Sequence, residues 1–340
     1  MKKALLVTTV SGFVPQFEMN NVRMLQEMGY EVHYAANYHT PSYGNDNSRL
    51  DGTGIICHTP MGGAMARIAA HNTKTGPVFY TAHGFHFFKG APFQNWLVYY
   101  PVERFLSRYT DVLICINEED YQRAKKKFHA KKVVKIPGVG IDIEKIQRIS
   151  IKKEEKRKEF DIKKDQIVLL LVGEMTKNKN HKLLIEVLAK LQDDNVIGVF
   201  CGHGQEEQHL RQLAKELHVE ERIRFLGYRQ DVLEIYQIAD IFVFPSLREG
   251  LSVAVMEAMA SGLPVVCSDI RGNRDLIEDG KGGTLIPGHE VEEYTTSIRK
   301  LLKSDKARCQ YGQYNKAVIQ EYDRSNVLRI MKNVYERALK

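Results

Sequence analysis

Cysteine is scarce in this chain and shows no pairing pattern. Five residues (Cys57, Cys115, Cys201, Cys267 and Cys309) are scattered over 340 positions, with no Cys-x-x-Cys spacing. An odd, unclustered count excludes a disulfide framework and a cysteine-based zinc site, and it implies reduced thiols in a cytoplasmic setting. Also missing is any apolar run of the ~18–20 residues that a spanning helix needs. The apolar run at residues 4–10 is short and no small-residue cleavage site follows it, so a first β-strand is expected rather than a signal peptide. Internal repeats, low-complexity segments and nucleic-acid-binding motifs are absent, which argues against a nucleic-acid partner. The modest formal charge of +7 suits anionic small ligands or an anionic membrane surface. The expected location is the cytoplasm, or the inner face of the cell membrane as a peripheral protein.

What is present reads as two α/β domains in series, as the length also suggests. Short continuous apolar runs at 4–10, 31–36, 78–83, 112–116 and 133–136 alternate with longer amphipathic stretches at 14–28 and 118–128. Continuous rather than alternating apolar strands are what a parallel sheet covered on both faces requires. A charge-dense stretch at 146–166 is expected to be a linker and a solvated helix. A second series then runs from Ile167 to Ile286, with strands at 167–172, 196–201, 223–225, 241–245, 264–268 and 284–286 separated by helices. Helices at about 290–303 and 306–339 end the chain. The expected domains are 1–150, 151–315, and a C-terminal helix at 316–340 that crosses back to the first.

The densest chemistry follows the strand that ends at Pro245. The run Ser246-Leu-Arg-Glu-Gly-Leu-Ser252 leads into a helix near Leu251. Free N–H groups at a helix start attract phosphate, so Gly250, Leu251 and Ser252 are candidates to cradle a diphosphate. Glu249 stays in the loop, while Glu257 lies about two turns into the helix. A carboxylate suits a vicinal diol because it accepts two hydrogen bonds at once.

These residues resemble the Glu-x7-Glu signature of glycosyltransferase family 4. The match continues through Gly262, Pro264, Ser268-Asp269, Gly272 and Ile277-Glu278-Asp279-Gly280, over thirty positions in order. The resemblance implies a GT-B fold, two facing Rossmann-like doubly wound domains, and retaining transfer of a sugar from a nucleoside diphosphate sugar. By the same resemblance Glu249 contacts the donor sugar and Glu257 the ribose, with no essential metal and no cofactor beyond the nucleotide-sugar co-substrate. No Asp-x-Asp stands in a metal-site context. In the loop from Gly173 to His181, Lys179 matches the family's diphosphate-binding lysine, but Glu174 stands where the family carries an arginine. An acid there repels a diphosphate, so Glu174 is expected to point elsewhere. Cys201-Gly-His-Gly204 matches a Gly-x-Gly strand end, read as a turn or a ligand contact alike. Gly227, Tyr228 and Arg229 match the segment whose backbone edges the nucleobase, here expected to be uracil.

In the first domain, Thr9-Val-Ser-Gly12 ends the first strand, and Gly12 is the candidate for close approach to the phosphates. His83 follows a buried strand directly, where catalytic side chains gather in this class of sheet. The run His83-Gly-Phe-His-Phe-Phe88 narrows the resemblance to exopolysaccharide and capsule transferases, which implies a place for His83 near the donor sugar and leaving phosphate. His86, and His58 in Cys57-His-Thr-Pro, are acceptor-side candidates. An aromatic stretch with Trp96, Tyr99, Tyr100, Phe105 and Tyr109 is interleaved with Arg104 and Arg108, and seven cations follow over 123–135. That face suits an anionic membrane and a lipid-linked acceptor, or else a core helix with a solvated side.

The N-terminal domain reads as shortened. The family carries a helix and strand where residues 38–54 run irregularly into Ile55-Ile-Cys-His58, and about 35–40 residues, one crossover unit, read as absent. A sheet lacking an interior unit is expected to be strained or rearranged. The predicted activity is glycosyl transfer from a nucleoside diphosphate sugar, expected to be a UDP-sugar, to a saccharide or lipid-linked saccharide in exopolysaccharide or capsule synthesis. The alternatives are a sugar-nucleotide isomerase or epimerase on the same fold, and an inactive nucleotide-sugar-binding subunit.

Overall fold

The structure, a computed structural model, describes residues 2–10, 13–37, 55–58 and 60–339. The chain divides into two compact units, Met1–Gly140 with Arg324–Lys340, and Ile141–Asp323. The first unit thus ends at Gly140 rather than at 150, and the returning segment begins at Arg324 rather than at 316. The reason is local pairing inside the second unit. The Ile141 amide donates to the Tyr322 carbonyl at 3.1 Å, and Ile143 and Ile146 are buried in that unit's core. The same pairing interrupts the helix expected over 306–339.

The first unit contains β1 (Lys2–Val10), a π-helical turn running into α1 (Met19–Glu27), β2 (Tyr30–Asn37), β3 (Ile55–His58), α2 (Pro60–Thr73), β4 (Phe79–Ala82), α3 (Phe93–Leu106), β5 (Val112–Cys115), α4 (Glu118–Lys127) and β6 (Lys132–Lys135). All strands are parallel, in the order β2-β1-β3-β4-β5-β6. Every residue of β4 and β5 is buried, whereas the edge strand β6 carries a lysine at each end. Charged ends of this kind keep an edge from pairing with another chain. Residues 38–54, where the shortening was read, lie outside the described residues. Among the described residues the sheet is contiguous there, with β1 paired directly to β3 (Leu5↔Ile55 to Val7↔Cys57) and β3 to β4. Since β2 is the edge strand, a crossover unit lost between β2 and β3 comes off that edge and leaves no interior gap.

The second unit contains α5 (Ile143–Gln147), α6 (Lys153–Lys158), β7 (Ile167–Val172), α7 (His181–Leu191), β8 (Val196–Cys201), α8 (Glu207–Glu216), β9 (Ile223–Gly227), α9 (Val232–Ile238), β10 (Ile241–Phe244), α10 (Val253–Ala260), β11 (Val265–Ser268), α11 (Arg271–Leu276), β12 (Gly283–Ile286), α12 (Val291–Leu302) and α13 (Asp305–Val318). The last helix, α14 (Arg324–Leu339), belongs to the first unit. The parallel order is β12-β11-β10-β7-β8-β9. Alternate residues of each strand feed the two faces: Val168, Leu170, Phe242 and Phe244 join one core, and Leu169, Leu171, Ile241 and Val243 the other. Both faces being covered, the strands read as unbroken apolar runs. Chain order reverses between β7 and β10, which makes the loops at their carboxyl ends the topological switch point, where ligands bind in such sheets.

One expectation fails here. The stretch containing α6 is not simply solvated: Lys156 and Arg157 are buried. Lys156 bonds to Asp231 at 2.7 Å, and Arg157 to Asp240 at 2.6 Å and to the Ile238 carbonyl. The carboxylates of α9 and its flanks draw these two cations inward, and hydrogen bonds on each offset their loss of water.

Candidate functional site

The two loops at the switch point are tied to each other. The Leu247 amide donates to the Asn178 carbonyl at 2.8 Å, and the Asn178 side-chain amide returns a bond to the Arg248 carbonyl at 3.0 Å. Asn180, in a left-handed conformation with φ 53°, points its amide at the Pro245 carbonyl. This lacing brings together two candidates seventy positions apart. Lys179 Nζ lies 2.6 Å from Glu249 Oε1 and 4.8 Å from the centre of the Phe244 ring. Both side chains are largely enclosed, at 22% and 12% exposure, so the pair is partly shielded from water.

Helix α10 starts beside that pair. Ser252 is its N-cap, with the hydroxyl accepting from the Val255 amide. The amides of Gly250, Leu251 and Ser252 donate to no acceptor among the described residues. They leave the turn rich in unpaired N–H dipoles at the positive end of the helix. The turn is held from behind by a residue the sequence reading missed. Buried Arg271 donates to the Glu249 carbonyl at 3.0 Å, and Gly272 lets α11 approach so closely that a Cβ there would lie 2.5 Å from the Gly250 carbonyl oxygen. Nothing local marks Arg271, because its partner is twenty-two residues away.

Glu257 projects from the middle of α10. Burial pushes its carboxyl up to about 7, opposed by the nearby Tyr236 hydroxyl, which donates to the Ala254 carbonyl at 3.1 Å. No cation is among these causes. A carboxyl enclosed in this way with no cation beside it is an acceptor short of donors.

The remaining second-unit candidates fall into two groups. Gly202 and Gly204 serve close packing: a Cβ on Gly202 would lie 2.0 Å from the Gly173 carbonyl oxygen, and one on Gly204 2.4 Å from that of Met175. The Gly173 and Met175 amides donate to the Cys201 and His203 carbonyls, and the Gly202 amide to Gly227, so three strand-end loops form one scaffold. Tyr228 is 61% exposed with its ring edge-on to His203. The Arg229 guanidinium is taken up by Asp231 through two bonds of 2.7 and 2.6 Å. Glu174 is exposed.

In the first unit, the loop after β4 is held by the first turn of α4. The Phe85 amide donates to Asp120 at 3.1 Å, the Lys89 amide to Glu119 at 2.8 Å, and Arg123 to the Phe87 carbonyl at 3.1 Å. Asn117 caps the same helix. His83, at the head of this loop, meets the Phe13 ring edge-on at 4.9 Å. It lines a cavity of about 20 Å³ with Glu18, Asn21, Thr81 and Gly138, room for about one water. Burial raises the Glu18 carboxyl, opposed by His83 and by the Asn21 amide at 2.7 Å. His86 is turned elsewhere, its ring stacked on Tyr99 of α3 at 4.7 Å. Gly12 and Ser11 lie outside the described residues, as does the side chain of His58.

Comparison with known proteins adds to this geometry. The family profile described as "Glycosyl transferases group 1" matches residues 152–318. A Bacillus subtilis (strain 168) protein provisionally named glycosyltransferase EpsD is 35% identical over 369 aligned positions, covering 98% of this chain and 96% of EpsD. An Escherichia coli UDP-Gal:alpha-D-GlcNAc-diphosphoundecaprenol alpha-1,3-galactosyltransferase is 30% identical over 251 positions, 72% of this chain and 65% of that one. Among solved structures, Anabaena Alr3699/HepE in complex with UDP-glucose superposes with a TM-score of 0.79 at 17% identity, over 99% of this chain and 100% of that one.

Proposed function

The chain belongs to the glycosyl transferases group 1 family, is an enzyme of the glycosyltransferase class and has the GT-B fold, and from that premise we propose that it moves a sugar from a UDP-sugar to a lipid-linked saccharide in exopolysaccharide or capsule synthesis, with retention of anomeric configuration. The observation that carries the reading is the convergence of Lys179, Glu249 and the unpaired amides of 250–252 at the switch point, with Glu257 one turn further along α10.

Each group has a part. The diphosphate lies against the amides of Gly250, Leu251 and Ser252, where the helix start favours negative charge. Lys179, now held by Glu249, shares its ammonium with the diphosphate and stabilises the charge that grows there as the sugar–phosphate bond breaks. Glu249, relieved of part of its ion pair, accepts from the donor sugar hydroxyls. Glu257 takes the two ribose hydroxyls as a carboxylate. Gly173 and the Gly227–Tyr228 backbone edge the nucleotide, and the Arg229 guanidinium stays on Asp231. His83 acts toward the donor sugar and leaving phosphate, with His58 and His86 on the acceptor side. The reading assigns no essential metal, since cationic and amide groups already face the diphosphate. EDTA is expected to leave turnover unchanged. The lipid-linked acceptor follows the diphosphoundecaprenol substrate in the name of the Escherichia coli relative.

The test is a thermal-shift screen against UDP, GDP, UDP-glucose and UDP-galactose, followed by UDP release with and without a diphosphoundecaprenol-linked saccharide. The proposal expects stabilisation by the uridine nucleotides, loss of that shift in Glu257→Ala, and acceptor-dependent UDP release. A shift unchanged by Glu257→Ala removes the ribose assignment. Donor turnover without an acceptor points to an isomerase instead.

A further inference from the structure

Helix α3 is inside out. At 100° per residue, Phe93, Leu97, Val98, Pro101, Val102 and Phe105 share an arc of about 180°, and all six are exposed, Phe93 at 78% and Leu97 at 66%. The opposite side buries the helix's one carboxylate, Glu103, whose Oε2 takes a 2.9 Å bond from Arg67 of α2. The Arg67 guanidinium lies 4.0 Å over the Tyr80 ring. A solvent-facing helix ordinarily does the reverse, burying its apolar stripe. The aromatics singled out in the sequence divide accordingly. Trp96 and Tyr100 pack inward against Phe87 and Phe128, while Tyr99 and Phe105 are exposed.

Helix α2 extends the patch. Met61, Met65 and Ile68 lie on one stripe of it and are exposed, Met65 at 69%. The two helices are joined at their carboxyl ends by a ring chain, His71 stacked on Tyr109 at 4.0 Å and Tyr109 edge-on to Phe105 at 5.7 Å. The charge around this surface has one sign. Helix α2 has no acidic residue and α3 has only the buried Glu103. Arg104 and Arg108 are exposed, and the Arg104 guanidinium bonds to the Lys127 carbonyl at 3.0 Å, beside the exposed Lys125, Lys126 and Lys127 that end α4. On that side Glu119 is paired with Arg123.

We propose that the outer face of α2 and α3 is a membrane-docking surface that inserts its apolar side chains into a bilayer of anionic phospholipid while Arg104, Arg108 and the Lys125–Lys127 cluster contact the headgroups. An apolar face this wide has no other apolar partner among the described residues, and its cationic rim, whose Glu119 is already paired with Arg123, selects an anionic surface over a neutral one. The inference stands apart from the donor chemistry, because it concerns the protein without substrate.

The experiment is flotation of the full chain with vesicles of phosphatidylcholine alone or mixed with phosphatidylglycerol, at low and high salt. Binding is expected only with phosphatidylglycerol. It should fall roughly tenfold or more in Leu97→Asp/Val102→Asp, which places charge in the acyl region. Arg104→Glu/Lys127→Glu should weaken binding and flatten its salt dependence. Unchanged thermal melting and unchanged UDP shift in both variants separate docking from folding and from the donor reading. The proposal is overturned by absence of binding to phosphatidylglycerol vesicles at low salt, by equal binding of Leu97→Asp/Val102→Asp and the parent, or by a concentration-dependent dimer that this variant dissolves, which assigns the face to a second copy.

Discussion

Two glutamates, one in each unit, sit in largely apolar helices and have opposite surroundings, Glu103 being buried and Glu257 half-buried. Glu103 of α3 is met by a guanidinium at 2.9 Å and by the Tyr80 hydroxyl at 3.3 Å. Among the described residues Glu257 of α10 has no cation beside it, only the Tyr236 hydroxyl that donates to the Ala254 carbonyl, and burial pushes its carboxyl up to about 7. An acid that is buried and paired ties helices together; one that is half-buried and short of donors is held ready for a ligand that brings them. Burial alone therefore does not separate a structural carboxylate from a binding one, whereas the count of donors around it does.

The largest expected effect tests the structural side. Glu103→Ala leaves Arg67 buried without its partner and should cost about 3–5 kcal/mol of stability. Chemical denaturation measures it, and the folded fraction should still bind UDP with parental affinity. A loss under about 1 kcal/mol would place Glu103 with ordinary surface pairs. Next is Glu257→Gln, with two readouts of opposite sign. UDP affinity should drop about 100-fold, as expected for losing a charge-assisted pair of hydrogen bonds. Stability at pH 8 should rise by up to about 3 kcal/mol, the linkage value of a carboxyl moved from 4.5 to about 7. If the variant binds UDP as the parent does, the contrast between the two acids collapses.

Lys179→Ala comes third. Its loss should weaken UDP about 30-fold and uridine hardly at all, by calorimetry, since the lysine is assigned to the diphosphate. Equal losses for both would move Lys179 off the phosphates. The smallest effect is the pH dependence of the parent. UDP-glucose carries a constant charge over this range, so its binding reports Glu257. Affinity should fall about tenfold from pH 8 to pH 6 as the carboxylate takes a proton. The stability term has the reverse sign. A folded-state value raised above the unfolded one means the folded chain holds the extra proton between about 4.5 and 7, so this group's contribution declines as pH rises through that window. A flat UDP-glucose profile would remove Glu257 from the ribose.

Legibility in the sequence followed the range of the interaction. The strands of the second unit stood out because both faces of that sheet are buried, and its helices because caps and apolar periodicity are local. Lys179 and Glu249 were legible only as two motifs; their 2.6 Å contact depends on Asn178 and Asn180 lacing two loops together. Arg271 behind the Glu249 turn, and Glu18 beside His83, left no local trace. The buried state of Lys156 and Arg157 was misread because a run of charges looks solvated until the carboxylates that receive it are known.

From its residues alone, then, the chain settled its class of sheet and the succession of its elements, because those follow from nearest-neighbour spacing and side-chain type. Only the tertiary structure decided which way α3 faces. Its apolar residues fit a core as readily as a surface, and it was the pairing of Glu103 with Arg67, thirty-six positions away, that turned the acid inward and left the apolar arc outside.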